Sequence, residues 1–417
     1  EDPQQQSQMK KSLNEYRDDA KTSEGEVTVA AALAINDVVS TTRAGLESNW
    51  RANTYGRVDV VSNSIYNSSV TADASTVGQG SDGTGAAVGI NRVSSKNAAL
   101  ISSGATAFDG ISVVAKMNDD TPENQKRAKM DTVVVSGAGS GDTGVAGALA
   151  VNVQHTDSAA YINQDAATAD GSIDILSLNL SENSVKASPG RSADDVTGGI
   201  GASVAVNVAV NSSSAGVADD AMVTYLSAGG GMIPVSIARQ LAPESPVPNF
   251  APSARGVNIT ASSDHIVTTE AEAGAVGGTA VTPAVALSLV ETATKAEMGS
   301  ASSDVWNSTL YVDGDLSVEA ESKESITTTA KGSSDAESAA IGTALAISLV
   351  DSTSEAIIQR SINAGGEVTI GAQSMGATST SATASAKGGK AKDASTPEDG
   401  VDKKVGEQTA LAQKKRA

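Results

Sequence analysis

One phrase recurs six times along this chain, and nothing else in the sequence constrains the fold as strongly. An aliphatic residue, a small residue, a second aliphatic and then Asn or Ser stand at Leu33-Ala34-Ile35-Asn36, Val88-Gly89-Ile90-Asn91, Leu149-Ala150-Val151-Asn152, Val204-Ala205-Val206-Asn207, Val285-Ala286-Leu287-Ser288 and Leu345-Ala346-Ile347-Ser348. Eight residues past each Asn or Ser comes an alanine (Ala44, Ala99, Ala160, Ala215, Ala296, Ala356), and two further an apolar residue (Leu46, Ile101, Ile162, Val217, Met298, Ile358). Subtracting each anchor position from the next gives spacings of 55, 61, 55, 81 and 60 residues. A period of this length marks an array of stacked units, a solenoid before anything else.

Composition agrees with a thin, strand-built array. A chain of 417 residues would ordinarily divide into two or three domains, whereas one repeat array needs no division. With two Phe and two Trp there is little bulk for a compact globular core, while Ala and Val suit stacked sheets and Gly, Ser, Thr, Asn and Asp supply turns. Cysteine is absent, which removes any disulfide framework and any Cys-based metal or nucleophile site. The formal charge of −20 repels phosphate backbones and anionic lipid, so nucleic acid is not an expected partner. No stretch reaches the ~20 apolar residues of a membrane span, and no membrane insertion is expected.

Within a repeat a two-residue period dominates. Ile200, Ala202, Val204, Val206, Val208 and Val210 share one strand face, and Gly201, Ser203, Ala205, Asn207 and Ala209 share the other, which is small rather than charged. After the anchor a polar break such as Ser40-Thr41-Thr42 is expected to end the strand, followed by a short Ala-x-apolar strand. A glycine then opens a third strand of the form Gly-x-apolar-x-apolar, as in Gly56-Arg57-Val58-Asp59-Val60, Gly171-Ser172-Ile173-Asp174-Ile175 and Gly366-Glu367-Val368-Thr369-Ile370. A Thr/Ser/Ala-rich strand such as Ile326-Thr327-Thr328-Thr329-Ala330 and a Gly-rich linker lead back to the phrase.

The fold class read from this is all-β: a parallel β-helix or β-solenoid of about six imperfect 55–60-residue repeats, with a β-sandwich array as the alternative. A parallel coil commonly takes about twenty residues, so each repeat is expected to supply two or three coils, with one large coil per repeat and long faces as the alternative. If the anchors stack in adjacent coils they can form an amide ladder; if not, they are isolated turn or surface residues. Residues 25–387 form the array, with excursions at 117–130 and 227–255. Residues 1–24 carry Met9, Leu13, Tyr16 and Ala20 on one helical stripe and read as an N-terminal helical cap or linker, and residues 388–417 as a low-complexity charged tail.

At the six-fold phrase the chain resembles the very large, repeat-built filamentous adhesins and leukotoxin-like surface proteins of bacteria. Their repeats look like G-A-x-A-V-A-V-N-x-x-x-x-x-T-x-A-x-I followed by G-G-x-V-x-V-x-A. Gly201-Ala202-Ser203-Val204-Ala205-Val206-Asn207 through Ala215 and Val217 reads much the same, and Gly365-Gly366-Glu367-Val368-Thr369-Ile370-Gly371-Ala372 matches the second half. The resemblance spans roughly residues 25–385 and departs at Ser288, Ser348 and the two excursions. It implies an extracellular β-helical stalk that displays binding surfaces, and it supplies no catalytic motif.

The inventory for chemistry is thin. His155 and His265 read as surface or turn residues, with no clustered ligands for zinc or a triad. Asp119-Asp120, Asp194-Asp195 and Asp219-Asp220 are adjacent pairs whose side chains would point to opposite strand faces, so they read as solvated turns. Calcium-binding nonapeptides, the twelve-residue calcium loop and a phosphate loop are all missing from the sequence. No catalytic, cofactor or metal residues are assigned. The best candidate partner contact is the proline-bearing excursion at 227–255, where Arg239, Leu241 and Phe250 offer apolar and bidentate contacts.

The expectation is a secreted or bacterial cell-surface protein, not an enzyme, that serves as a stiff stalk or filament subunit. Its expected partners are other copies of itself or a larger surface filament, or a host or bacterial surface glycan or protein. The alternatives are a secreted host-cell-directed toxin segment and a polysaccharide-active β-helix enzyme. The enzyme reading requires carboxylates and Lys or Arg clustered on adjacent coils.

Overall fold

The computed structural model describes residues 27–47, 51–75, 82–119, 126–137, 143–168, 171–189, 198–221, 223–225, 256–300 and 310–388. The expected cap at 1–24, the excursion at 227–255 with Arg239, Leu241 and Phe250, and the tail beyond 388 lie outside these residues.

Each repeat winds once. A long anchor face carries the repeated phrase: β1 (Val27–Leu46), β5 (Asp82–Ile101), β9 (Thr143–Ile162), β12 (Gly198–Val217) and the second halves of β14 (Gly256–Met298) and β16 (Asp315–Ile358). A bridge face of three-residue strands follows: β2 (Ala52–Thr54), β6 (Ala105–Ala107), β10 (Ala166–Thr168), β13 (Val223–Tyr225), β15 (Leu310–Val312) and β17 (Ile362–Ala364). The return face comprises β3 (Val58–Asn63) with β4 (Asn67–Ser75), β7 (Ile111–Asp119) with β8 (Lys126–Gly137), β11 (Ile173–Pro189), the first halves of β14 and β16, and β18 (Val368–Gly388). Neighbouring coils pair in parallel, so that Asn36, Asn91, Asn152, Asn207, Ser288 and Ser348 fall in one column.

The all-β solenoid is therefore the architecture, and two finer expectations are corrected. Each repeat supplies one large coil rather than two or three, and parallel pairing of successive coils excludes an antiparallel sandwich array. The reason lies in the supposed polar break. Ser40 and Thr42 sit inside an uninterrupted 20-residue strand, and their column-mates in the second coil, Ser95 and Asn97, find polar partners in Ser64 and Ser62 across the interior instead of ending the strand. Joining the short Ala-x-apolar strand to the phrase doubles the length of the face, and the coil grows with it.

The coil is a wedge. At the bridge end three faces enclose Ile101, Ile111, Ile162, Ile173, Ile175, Ile259, Met298 and Leu316, all fully buried. At the opposite end the two long faces close directly on each other through alanines, including Ala150, Ala187, Ala205, Ala271, Ala286 and Ala330. The approach is close enough there that a Cβ on Gly201 would collide with the carbonyl oxygen of Gly274. At the turn into the return face Gly256 has φ +138°, a region that L side chains rarely adopt. The Gly-x-apolar-x-apolar reading is accurate here: Val58, Ile111, Ile173, Val257, Leu316 and Val368 form one column.

The excursion expected at 117–130 is in its described part the end of β7 and the start of β8, both paired into the return face, with Met117 and Met130 buried inside, and residues 120–125 lie outside the described residues. β7 and β8 pair antiparallel through Asn118 with Arg127 and Asp119 with Lys126. Arg127 then crosses coil 3, donating from Nη1 to the Asp264 carbonyl (2.7 Å) and from Nη2 to its carboxylate (2.6 Å).

Candidate functional site

The anchor face reverses the usual rule for a two-faced strand. The thin interior admits only small or short polar side chains, so the small face of the alternation turns inward: Ala150, Ala205, Ala286 and Asn152 are wholly buried. Valine, leucine and isoleucine are thereby displaced to the outside. Counting from the Asn/Ser anchor as column zero, column −3 holds Leu33, Val88, Leu149, Val204, Val285 and Leu345. Column −1 holds Ile35, Ile90, Val151, Val206, Leu287 and Ile347, and both columns point outward in every coil. On the first coil Leu33 and Ile35 are 68% and 64% exposed, and on the sixth Leu345 is 50% exposed.

Column −7 adds Val29, Val145, Ile200, Val281 and Ile341, interrupted by Thr84 in the second coil. Column −5, between the apolar ridges, is short: Ala31, Ala86, Gly147, Ala202, Pro283 and Thr343. Column +1 is mixed, with Asp37 and Arg92 in the first two coils and Val153, Val208, Leu289 and Leu349 in the rest, and from column +3 onward polar and charged residues such as His155, Asp157, Glu291, Lys295, Asp351 and Glu355 stand among Val39 and Val210. His155 is exposed, as expected.

Beneath this face runs a polar seam. Asn36 Nδ2 donates to Ser68 Oγ (2.8 Å), and that hydroxyl donates to Asn91 Oδ1 (2.6 Å). Asn152 Nδ2 donates to Asn183 Oδ1 (2.6 Å) and to the Ser184 carbonyl (2.9 Å), while Oδ1 accepts from Thr132. Ser288 and Ser348 each bond Thr328 (2.6 Å). The anchors do stack in one column, yet their bonds run across the interior to the return face; Asn207 Oδ1 has no partner at all. A zipper between the two faces, rather than an amide ladder, is what the phrase encodes.

His265 corrects its expected surface position. It is fully buried on the inner side of the return face, with Nδ1 2.7 Å from Ser181 Oγ and Nε2 unpartnered. Burial, reinforced by the Arg127 charge, pushes its pKa down to about 3. A strand residue at this parity faces inward, a fact that only the register reveals.

A second charged group lies on the outer side of the return face, where Asp264, Glu321 and Lys116 are buried. Burial, then the nearby Asp264 charge, pushes Glu321 up to about 7, and neither of its carboxylate oxygens has a hydrogen-bond partner. Asp174 is raised by burial, although Ser172, Asn258 and Arg57 oppose the shift. Asp219 and Asp220 lie in a turn, where Asp219 Oδ1 accepts from the Ser300 amide (2.7 Å). Among the described residues no three His, Cys, Asp or Glu side chains gather as a metal site, and no helix is long and apolar enough to cross a membrane.

No family model matches the chain, and no curated protein does either. Among solved structures, the crystal structure of ice binding protein from an Antarctic bacterium Flavobacteriaceae aligns over 84% of this chain and 96% of that chain at 10% sequence identity. The TM-score is 0.07, so the alignment carries no argument about fold or function.

Proposed function

We propose that this chain is a structural and adhesive protein, secreted or held at the bacterial surface, acting as a stiff stalk segment or filament subunit that presents contact surfaces. The observation that carries the reading is the anchor face: a sheet face with two outward columns apolar in all six coils. Monomers rarely leave contiguous apolar patches beyond a few hundred Å² in water, and larger ones mark interaction sites. Stiffness is supported by ion pairs that join neighbouring coils within a column, Asp37 with Arg92 (2.9 Å), Glu272 with Lys331 (2.9 Å) and Asp335 with Lys387 (3.0 Å).

Negative-stain electron microscopy of the purified chain across a concentration series tests the reading. Stacked strands near 4.8 Å apart give six coils ~29 Å of axial height, and twenty-residue strands give ~66 Å of width. Fibres of that width with an axial repeat near ~29 Å identify a filament subunit. Isolated slabs that bind surface glycans or proteins identify a stalk segment, and slabs that neither assemble nor bind a surface component refute the reading.

A polysaccharide-active enzyme is the second reading, favoured by one observation: Asp264 and Glu321 are buried on the outer side of neighbouring coils, Asp264 pairs with Arg127, and the Glu321 carboxyl is held near neutrality. Cleavage of an acidic or neutral glycan that disappears in Glu321→Gln would favour it, and no turnover by the wild-type chain would remove it.

A further inference from the structure

We infer that residues 226–255 pack on the outer side of the return face, as a further layer of this chain over coils 2 to 5. The inference goes beyond the stalk reading, because it concerns what covers one chain and not how the chain assembles.

The argument begins with a column that faces outward by parity and yet is buried. Asn63, Lys116, Leu178, Ser262, Glu321 and Gln373 stand in register on the outer side of the return face. Asn63 and Gln373, in the two end coils, are exposed, whereas the four between them are buried. The column beside it repeats the pattern: Val61 in coil 1 is 50% exposed, and its mates Val114 and Leu176 are 3% and 5% exposed. On coil 3 the outward Leu176, Leu178 and Leu180 make an apolar stripe, and all three are buried. Among the described residues, the strands packed against β11 are β7, β8 and the first half of β14 beside it in the sheet, and β9 and β12 across the interior. Neither set lies over the stripe, and Arg127 accounts for Asp264, to which it bonds. The burial exists within a single chain, so the occupant is a stretch of the chain itself.

Attachment and composition select the stretch. From bridge face to return face three residues suffice at 55–57, 108–110 and 365–367, but coil 4 inserts thirty, 226–255. They rejoin the sheet at Gly256, two residues before the buried, outward Asn258 and in the middle of the buried block. Thirty residues reach up to ~100 Å, several times the ~20 Å from Asn258 to Asp264 or the ~14 Å from coil 2 to coil 5. The stretch sets Met232, Ile233, Val235, Ile237, Leu241 and Phe250 against three charges, Arg239, Glu244 and Arg255. Its five prolines lack the N–H that a paired strand donates, which suits a segment laid on a sheet by its side chains. Other stretches fit less well: 120–125 has no large apolar residue, 301–309 joins the anchor face to the bridge face, and 389–417 is rich in Lys, Asp and Glu. An apolar neighbour also accounts for Glu321, whose oxygens lack hydrogen-bond partners and whose pKa burial pushes up to about 7. It leaves no room for a glycan at Glu321 and Asp264, and so counts against the enzyme reading.

The test uses the full chain. With p-benzoylphenylalanine in place of Phe250, irradiation, digestion and mass spectrometry are expected to find cross-links to peptides from 111–119, 173–189 or 256–266. The chain has no cysteine, so single thiols read the face directly. Leu178→Cys is expected to react with a maleimide at least about tenfold more slowly than Val61→Cys, with far-UV dichroism unchanged. Replacing 226–255 by a three-residue turn is expected to bring the two rates together. Equal rates in the full chain overturn the proposal, because the face is then bare. Cross-links confined to other peptides, or formed between copies, overturn it too. Slow labelling of Leu178→Cys that survives the replacement does the same and hands the face to another stretch. If the shortened chain fails to fold, the cross-link map and the full-chain rates decide. None of these results bears on filament growth or surface binding, so the two readings fail separately.

Discussion

Two buried titratable residues give the solenoid a stability profile with opposing slopes. His265 has a folded pKa near 3 against an unfolded value of 6.5, so between these values the unfolded chain binds the extra proton. Its contribution to stability is complete above pH 6.5 and falls as the pH drops, by about 2 kcal/mol at pH 5. Glu321 acts the other way: its folded pKa near 7 exceeds the unfolded 4.5, so its favourable contribution is complete below pH 4.5 and is lost as the pH rises through 7. Denaturant titrations at pH 5 and pH 8 separate them. His265→Gln is expected to remove the loss toward pH 5, and Glu321→Gln to gain stability over wild type at pH 8 but not at pH 4. Gly201 is a steric counterpart to these charges. Any Cβ there meets the Gly274 carbonyl oxygen, so Gly201→Ala is expected to lower the unfolding midpoint by an amount equivalent to roughly 2 kcal/mol or more, because backbone must move. An unchanged midpoint would show that the faces part freely at this point.

At the scale of the element, the anchor phrase specifies two things at once: a small inward pair that lets the faces close, and an Asn or Ser that bonds across the gap. The bonds are unequal, and so are the expected costs. Asn152→Ala removes contacts to Thr132, Asn183 and Ser184 and leaves buried polar groups unpaired, which costs about 2–3 kcal/mol. Asn207 makes only long bonds to the carbonyls of Asn183 (3.3 Å) and Thr268 (3.4 Å), and Asn207→Ser is expected to cost under about 1 kcal/mol, since Ser288 already serves in that column. Equal losses in the two variants would rule out the seam as the source of stability. The recurrence of the phrase made the solenoid and its strands legible in the sequence. The number of coils was not legible, because Ser40 and Thr42 look like a turn until a facing strand supplies their environment. Nor was the apolar face: the alternation at Ile200 to Val210 shows two sides, but which side is inside depends on how closely the return face approaches. His265 was hidden for the same reason, since one residue of register decides whether a strand histidine meets water or Ser181.

For the molecule as a whole, one coil per repeat means a slab that is wider than it is tall. Its stability is set by five coil-to-coil interfaces, each a long in-register pairing of two broad faces and a short one, so local stability should follow position in the stack. The outer coils each have a single neighbour, and nearly every residue of β18 is exposed, including those whose parity faces inward. Coils 3 and 4 are covered on both sides, and Arg127 further ties coil 2 to coil 4 across coil 3. Opening of an outer coil breaks one interface, whereas opening of a central coil breaks two, and local opening with a smaller free-energy cost exchanges amide hydrogen sooner. Hydrogen exchange followed by mass spectrometry is therefore expected to show peptides from 27–75 and 339–388 exchanging well before those from 143–217. Uniform exchange along the stack would mean that the six coils open as one unit, and the additive picture of independent interfaces would have to be abandoned.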